Sequence, residues 1–208
     1  MNQLRNELLN HDLELGVSRE TLVRLRQFEE ILLVWQKKMN LVSRMTVQYA
    51  WERHIVDSLA LRKYASDANT WVDIGSGGGF PGIPLAICSA GNRDFKMHLV
   101  ERDHRKCAFL REASRITQAP ALVHNEDIVD VLPKLGNVDV FTSRAVAPVG
   151  EILSWVGASI RDGATGLFMK GREPDDSLTE PSISSMYMVE IFDNETKSGG
   201  QIVKVSSR

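Results

Sequence analysis

The stretch Val72-Asp73-Ile74-Gly75-Ser76-Gly77-Gly78-Gly79-Phe80-Pro81-Gly82 constrains this chain more than any other. An apolar run enters a cluster of glycines, and Pro81 stands where a helix would start. Glycines let a ligand approach the backbone closely, and a strand, glycine turn and helix in that order predict the opening of an α/β sheet. The spacing narrows what the turn can hold. A dinucleotide fingerprint wants glycine or alanine five positions after Gly75, where this chain has Phe80. A P-loop wants lysine and a serine or threonine after its glycines, and neither follows. A nicotinamide oxidoreductase or a nucleoside-triphosphate enzyme is therefore a poor match, and a cofactor with adenosine but no phosphates fits better.

The alternation continues downstream. Strands are expected at Thr70–Ile74, Lys96–Glu101, Ala121–His124, Val138–Ser143 and Gly166–Lys170, with helices at Pro81–Ala90, His104–Thr117 and Val149–Ile160. Ser185–Phe192 and Gln201–Ser206 read as a closing antiparallel hairpin around the polar turn 193–200, and Arg172–Ser184 reads as a mobile loop. Before Thr70 the pattern is helical. From Ser18, a plausible N-cap, Leu22, Leu25, Phe28, Leu32, Trp35 and Met39 recur at steps of three or four, so Trp35 reads as core. A second helical stretch over Tyr49–Tyr64 places Trp51, Ile55, Leu59 and the tail of Arg62 on neighbouring turns. With 208 residues, one domain is expected, residues 1–69 forming a helical N-terminal cap on a core of residues 70–208.

Several side chains fall where such a sheet binds ligands, beyond the carboxyl ends of its strands. Glu101 ends the second strand, about 20 residues past the loop, where a carboxylate can accept from ribose hydroxyls. Asn125-Glu126-Asp127-Ile128 follows the third strand, placing a carboxylate beside an adenine edge and Ile128 against its face. Each has a plainer reading, as a solvated surface acid or an ordinary acidic loop. Arg144 ends an apolar strand, where a guanidinium suits a carboxylate, phosphate or base face. Arg53, His54 and Asp57 lie on a predicted helix, with His54 and Asp57 on one face. They either line a substrate mouth or tie the cap to the sheet.

The net charge of −2 gives no general sign of nucleic-acid binding. Any RNA contact rests on a local strip, for which Arg24, Arg26, Lys37, Lys38, Arg44 and Arg53 in the cap, with Lys170 and Arg172, are candidates, although a solvated helix face is the plainer alternative. No apolar run approaches the roughly 20 residues of a membrane span, and Met1–Asn10 carries charges where a secretory signal would be apolar, so a cytoplasmic protein is expected. Cys88 and Cys107 lack ligand spacing and read as core thiols; no metal is expected.

Taken together, Trp35 with Asn40-Leu41, Arg53-His54-Ile55-Val56-Asp57-Ser58-Leu59, the Asp73–Pro84 loop, Lys106 with Phe109-Leu110-Arg111, Ser143-Arg144-Ala145 and Lys170-Gly171 resemble the small-subunit ribosomal RNA methyltransferase G family, also called glucose-inhibited division protein B. The resemblance implies a Rossmann-like class I S-adenosylmethionine-dependent methyltransferase sheet. It also implies transfer of the cofactor methyl to N7 of one guanine in 16S ribosomal RNA. By that resemblance Gly75, Gly77, Phe80, Asp127, Ile128 and Arg144 hold the cofactor and Glu101 takes the ribose position, while Arg53, His54 and Lys170 are the substrate-side candidates. Glu126 departs from the basic residue common there among relatives. No catalytic acid or base is expected, because guanine N7 offers a lone pair and no proton. A monomer acting on 16S RNA within a small-subunit particle is the expectation. A small-molecule methyltransferase with the cap as a lid, and a non-catalytic ribosome-assembly module, are the alternatives.

Overall fold

The computed structural model describes residues 15–173, 175–194, 196 and 199–208. The first fourteen residues of the expected cap, and part of the turn 193–200, lie outside the described residues.

Helix α1 (Arg19–Gln36) starts where the Ser18 hydroxyl accepts the Thr21 amide at 3.1 Å. Its apolar stripe buries Leu22, Leu25, Phe28, Ile31 and Leu32. Met39 falls past the end of the helix, because the Lys38 and Met39 amides both turn back to the Trp35 carbonyl. The Tyr49–Tyr64 stretch is not the uniform helix expected. A 3-10 turn (Val47–Tyr49) leads into a wider π-helical turn (Trp51–Val56), an α-helical turn (Asp57–Leu59) and a further 3-10 turn (Ala60–Tyr64). These changes of pitch bring Leu61 inward in place of Arg62, which is exposed.

Seven strands follow: β1 (Thr70–Ile74), β2 (Lys96–Val100), β3 (Ala121–His124), β4 (Val140–Arg144), β5 (Thr165–Lys170), β6 (Tyr187–Asp193) and β7 (Gln201–Ser207). They form one sheet in the order β3-β2-β1-β4-β5-β7-β6, with β7 antiparallel to both its neighbours. Helices α2 (Gly82–Cys88) and α3 (His104–Thr117) join α1 on one face, where Phe28, Ile83, Leu99 and Phe109 share a core. Helices α4 (Ile128–Val131) and α5 (Val149–Arg161) cover the other over Val72, Phe141, Val156 and Phe168. Central strands buried on both faces read as continuous apolar runs, which is why β1 matches the expected strand end for end. Phe28 meets Phe80 at a centroid distance of 5.3 Å and Phe109 at 6.3 Å, so the cap helix packs directly against the glycine turn.

The segment read as a mobile loop carries structure: a 3-10 turn at Asp176–Thr179 and helix α6 (Pro181–Met186), after which β6 begins at Tyr187. It is fastened by an interaction no local pattern reveals. Pro148 precedes α5 and offers no side-chain cap, so the Val149 and Gly150 amides donate instead to Asp175 and to the Ser177 hydroxyl, each at 2.9 Å.

Candidate active site

Strand order reverses between β1 and β4, and a cavity of about 600 Å³ opens beyond their carboxyl ends. Gly75, Gly77, Phe80, Glu101, Asp127, Ile128, Arg144 and His54 all line it. Gly75 turns the chain at φ +64°, and a Cβ there would lie 2.7 Å from Val146 Cγ2, so the position is closed by the loop after β4. A Cβ at Gly78 would lie 2.8 Å from the Leu41 carbonyl oxygen, because residues 40–42 of the cap cross directly over the turn. Gln36 holds that crossing: its Oε1 accepts the Leu41 and Val42 amides at 2.9 and 3.0 Å, and its Nε2 donates to the Val42 carbonyl at 2.8 Å. Sequence reasoning missed Gln36. The available signal was a single amide side chain at the carboxyl end of an amphipathic helix, just before a turn.

Glu101 is buried, which rules out a solvated surface acid. Its carboxylate accepts the Gly77 amide through Oε2 and the Asp103 amide through Oε1, both at 2.9 Å, so it braces the glycine turn against the start of α3. Asp127 caps α4 and sits 3.3 Å from Arg102, while Ile128 is buried beneath it. Glu126 pairs with Lys134, outside the cluster.

Asp73, at the centre of β1, is fully buried; its Oδ2 accepts the Gly82 amide at 3.2 Å, and its Oδ1 has no partner. Burial pushes the carboxyl up to about 7, opposed by the Ser76 hydroxyl and the Gly82 amide and reinforced by Glu101. The folded state thus keeps a proton that the unfolded chain releases at about 3.8. The resulting stability is complete below that pH and is lost as pH rises through 7. An Asp73→Asn variant still accepts from Gly82 but cannot ionise, so its stability relative to wild type is expected to grow from about pH 4 to about pH 7 and then level off. Urea denaturation across that range checks it, and parallel pH courses for the two proteins would refute it.

Arg144 and His54 meet above the turn. The Arg144 Nη2 donates to the Arg53 carbonyl at 2.6 Å and lies 3.5 Å from Asp57, while its Nη1 is buried without a partner. Burial pulls the Arg144 pKa down, against the nearby Asp57. Asp57 is buried and also accepts from the Thr196 hydroxyl. The His54 ring stacks 5.0 Å from Phe80 and hydrogen-bonds Thr46 through Nε2 at 3.0 Å. Cap and sheet are therefore tied together here, while the same side chains line the cavity.

A second cavity of about 630 Å³ adjoins the first, sharing Arg144 and Ala145. It brings together Arg53, Lys170 and Arg172, residues far apart in sequence. Lys170 is engaged, donating to the Ala147 carbonyl and pairing with Asp175, both at 3.0 Å, and Arg172 donates to the Gly199 carbonyl at 2.6 Å. Of the basic strip, Arg24 pairs with Glu20, and Arg26 pairs with Glu29 and covers the Trp51 ring, leaving Lys37, Lys38, Arg44 and Arg53 as exposed cations.

A family model described as rRNA small subunit methyltransferase G matches residues 21–201. The chain belongs to the rRNA small subunit methyltransferase G family. Among curated relatives bearing the name ribosomal RNA small subunit methyltransferase G, the protein of Bradyrhizobium sp. strain BTAi1 is 44% identical over 91% of this chain and 86% of its own. That of Methylorubrum populi is 39% identical over 98% and 95%. Solved structures agree in fold at low identity. Precorrin-6y C5,15-methyltransferase from Geobacter metallireducens aligns with a TM-score of 0.58 at 15% identity, over 81% of this chain and 91% of that one. M. capricolum TrmK, in complex with S-adenosylhomocysteine, gives 0.51 at 11%, over 71% and 67%. Family membership accounts for the seven-stranded order with one reversed strand, which is the class I methyltransferase sheet expected from the sequence. The rRNA small subunit methyltransferase G residues also fit an adenosine-bearing cofactor physically. The first cavity offers a buried carboxylate at Glu101, an apolar wall at Ile128 and a buried guanidinium nitrogen of Arg144 without a partner.

Proposed function

We propose that this protein transfers a methyl group from S-adenosylmethionine to N7 of a guanine in 16S ribosomal RNA, acting as a cytoplasmic monomer on a small-subunit particle. The observation that carries the reading is the pair of joined cavities. One lies over the glycine turn and Glu101, the other is lined by Arg53, Lys170 and Arg172, and Arg144 with Ala145 stands between them. A cofactor seated in the first presents its methyl towards a base entering from the second.

S-adenosylmethionine supplies an electrophilic methyl on a positive sulfonium. Displacement at that carbon is in line, so the protein contributes chiefly position and alignment. Guanine N7 attacks through its own lone pair, and no side chain has to remove a proton. His54, the ring closest to base chemistry, is held neutral by burial and by Arg144 and Arg53, with its pKa lowered to about 3. Arg53, exposed at the second cavity, is available to the RNA backbone. With few exposed cations on the cap and a net charge of −2, affinity for naked RNA is low, and a folded particle supplies the remaining contacts.

Transfer of labelled methyl from S-adenosylmethionine to small subunits and to naked 16S RNA, both from cells lacking this protein, tests the reading. Incorporation at one guanine as N7-methylguanine, stronger in particles, is the expected result. Failure to label either RNA, with cofactor binding intact, would favour a small-molecule substrate instead.

A further inference from the structure

His54 and Arg144 leave two buried polar atoms without partners in the first cavity, one on each residue: His54 Nδ1 and Arg144 Nη1. The surroundings fix what the histidine atom can do. Thr46 Oγ1 donates its single proton to the Ser43 carbonyl at 3.1 Å, so in its 3.0 Å contact with His54 it accepts. That assigns the imidazole proton to Nε2 and leaves Nδ1 as a lone-pair acceptor. Burial and the two neighbouring arginines keep the ring from taking a second proton, so it stays an acceptor at neutral pH. His54 is more than nine-tenths buried and packed against Phe80, so its ring is held in one orientation. Arg144 Nη1, in contrast, can only donate.

An acceptor and a donor lining one cavity complement a group that carries both a donor and an acceptor. Resting on the methyltransferase reading above, we infer that His54 Nδ1 accepts a hydrogen bond from the α-ammonium group of S-adenosylmethionine, with Arg144 Nη1 facing the carboxylate of the same amino-acid end. A zwitterionic amino acid needs this pair of partners, and burial excludes the water that would otherwise compete. The N1–H of a guanine is the other donor that might reach an imidazole, but the base enters from the cavity of Arg53 and Lys170, which His54 does not line. The sequence pattern placed His54 on the substrate side with Arg53; the structure separates these neighbours, Arg53 lining one cavity and His54 the other.

The test uses two ligands that share adenosine and sulfur and differ at the amino-acid end. The full-length protein is titrated calorimetrically with S-adenosylhomocysteine and with 5′-methylthioadenosine, which lacks the amino acid. His54→Phe keeps a ring against Phe80 and removes the acceptor. It is expected to weaken S-adenosylhomocysteine on the order of 10- to 100-fold and to leave methylthioadenosine within about twofold. His54→Asn and His54→Gln guard against a folding defect. The asparagine oxygen falls near the position of Nδ1, whereas glutamine reaches towards Thr46 and offers no acceptor at Nδ1. If ligand recognition matters, Asn binds S-adenosylhomocysteine more tightly than Gln; if the residue only fastens the cap, Gln is equal or better. Equal weakening of both ligands in His54→Phe overturns the inference. So does unchanged S-adenosylhomocysteine affinity accompanied by a raised KM for the ribosomal substrate, which would assign Nδ1 to the base. A wild-type protein that binds neither ligand would instead defeat the cofactor reading on which the inference rests.

Discussion

Replacing Arg144 by alanine is expected to cut methyl transfer by about 100-fold or more and to destabilise the fold by about 2 kcal/mol. The two effects have separate origins. Arg144 stands where the two cavities meet, so its loss removes an oriented cation beside both reactants. Its loss also strands Asp57, whose side chain is 3% exposed, with only the Thr196 hydroxyl and no guanidinium. Truncating one member of a well-buried ion pair costs about 3–5 kcal/mol. The lower figure applies here because the contact is 3.5 Å long and the Arg144 side chain is 22% exposed. Arg144→Lys separates the effects: a lysine keeps the charge near Asp57 and regains much of the stability, but lacks the planar fork and does not regain transfer. Denaturation curves and single-turnover methylation read the two quantities independently. Full activity in Arg144→Ala would remove the residue from the site.

A comparably large effect is expected for Glu101→Ala, here on cofactor affinity. The carboxylate accepts the Gly77 and Asp103 amides, and in the bound state it faces the ribose. Its removal leaves the Gly77 amide unbraced and takes two charged acceptors from the cavity. Each hydrogen bond to a charged group is worth about 1.5–3 kcal/mol, so a loss on the order of 100-fold follows. Because ribose is common to S-adenosylhomocysteine and methylthioadenosine, Glu101→Ala weakens both ligands, the opposite of the pattern expected for His54→Phe. Unaltered affinity for both ligands would leave Glu101 with only its bracing role.

The sheet was legible because its central strands are buried on both faces. The apolar runs at Thr70–Ile74 and Ala121–His124 have a single physical reading, and helix His104–Thr117 declares itself through the Asp103 cap and its period. What escaped depends on partners distant in sequence. Helix α6 is short and polar, and the turn before it is held by amides of α5, 26 and 27 residues earlier, which no window across Arg172–Ser184 contains. The pitch changes between Val47 and Tyr64 likewise come from packing against the sheet and cap. In the site, the glycine turn and Glu101 were readable from type and spacing. The separation of Arg53 from His54 was not, because adjacent residues on a π-helical turn face cavities set by folding of the whole chain.

The contacts of α1 bear on how the protein comes off the ribosome. Its apolar stripe closes on Phe80 and Phe109, which are translated long after it. At about 5–20 residues per second, the helix waits roughly 4–15 s for its partners. During that interval Leu22, Leu25, Phe28 and Leu32 have no native surface to cover them. Folding is thus gated by the emergence of α3, and a nascent chain stalled before Phe109 should present a sticky amphipathic helix to trigger factor-like holdases, whereas one stalled after Thr117 should not.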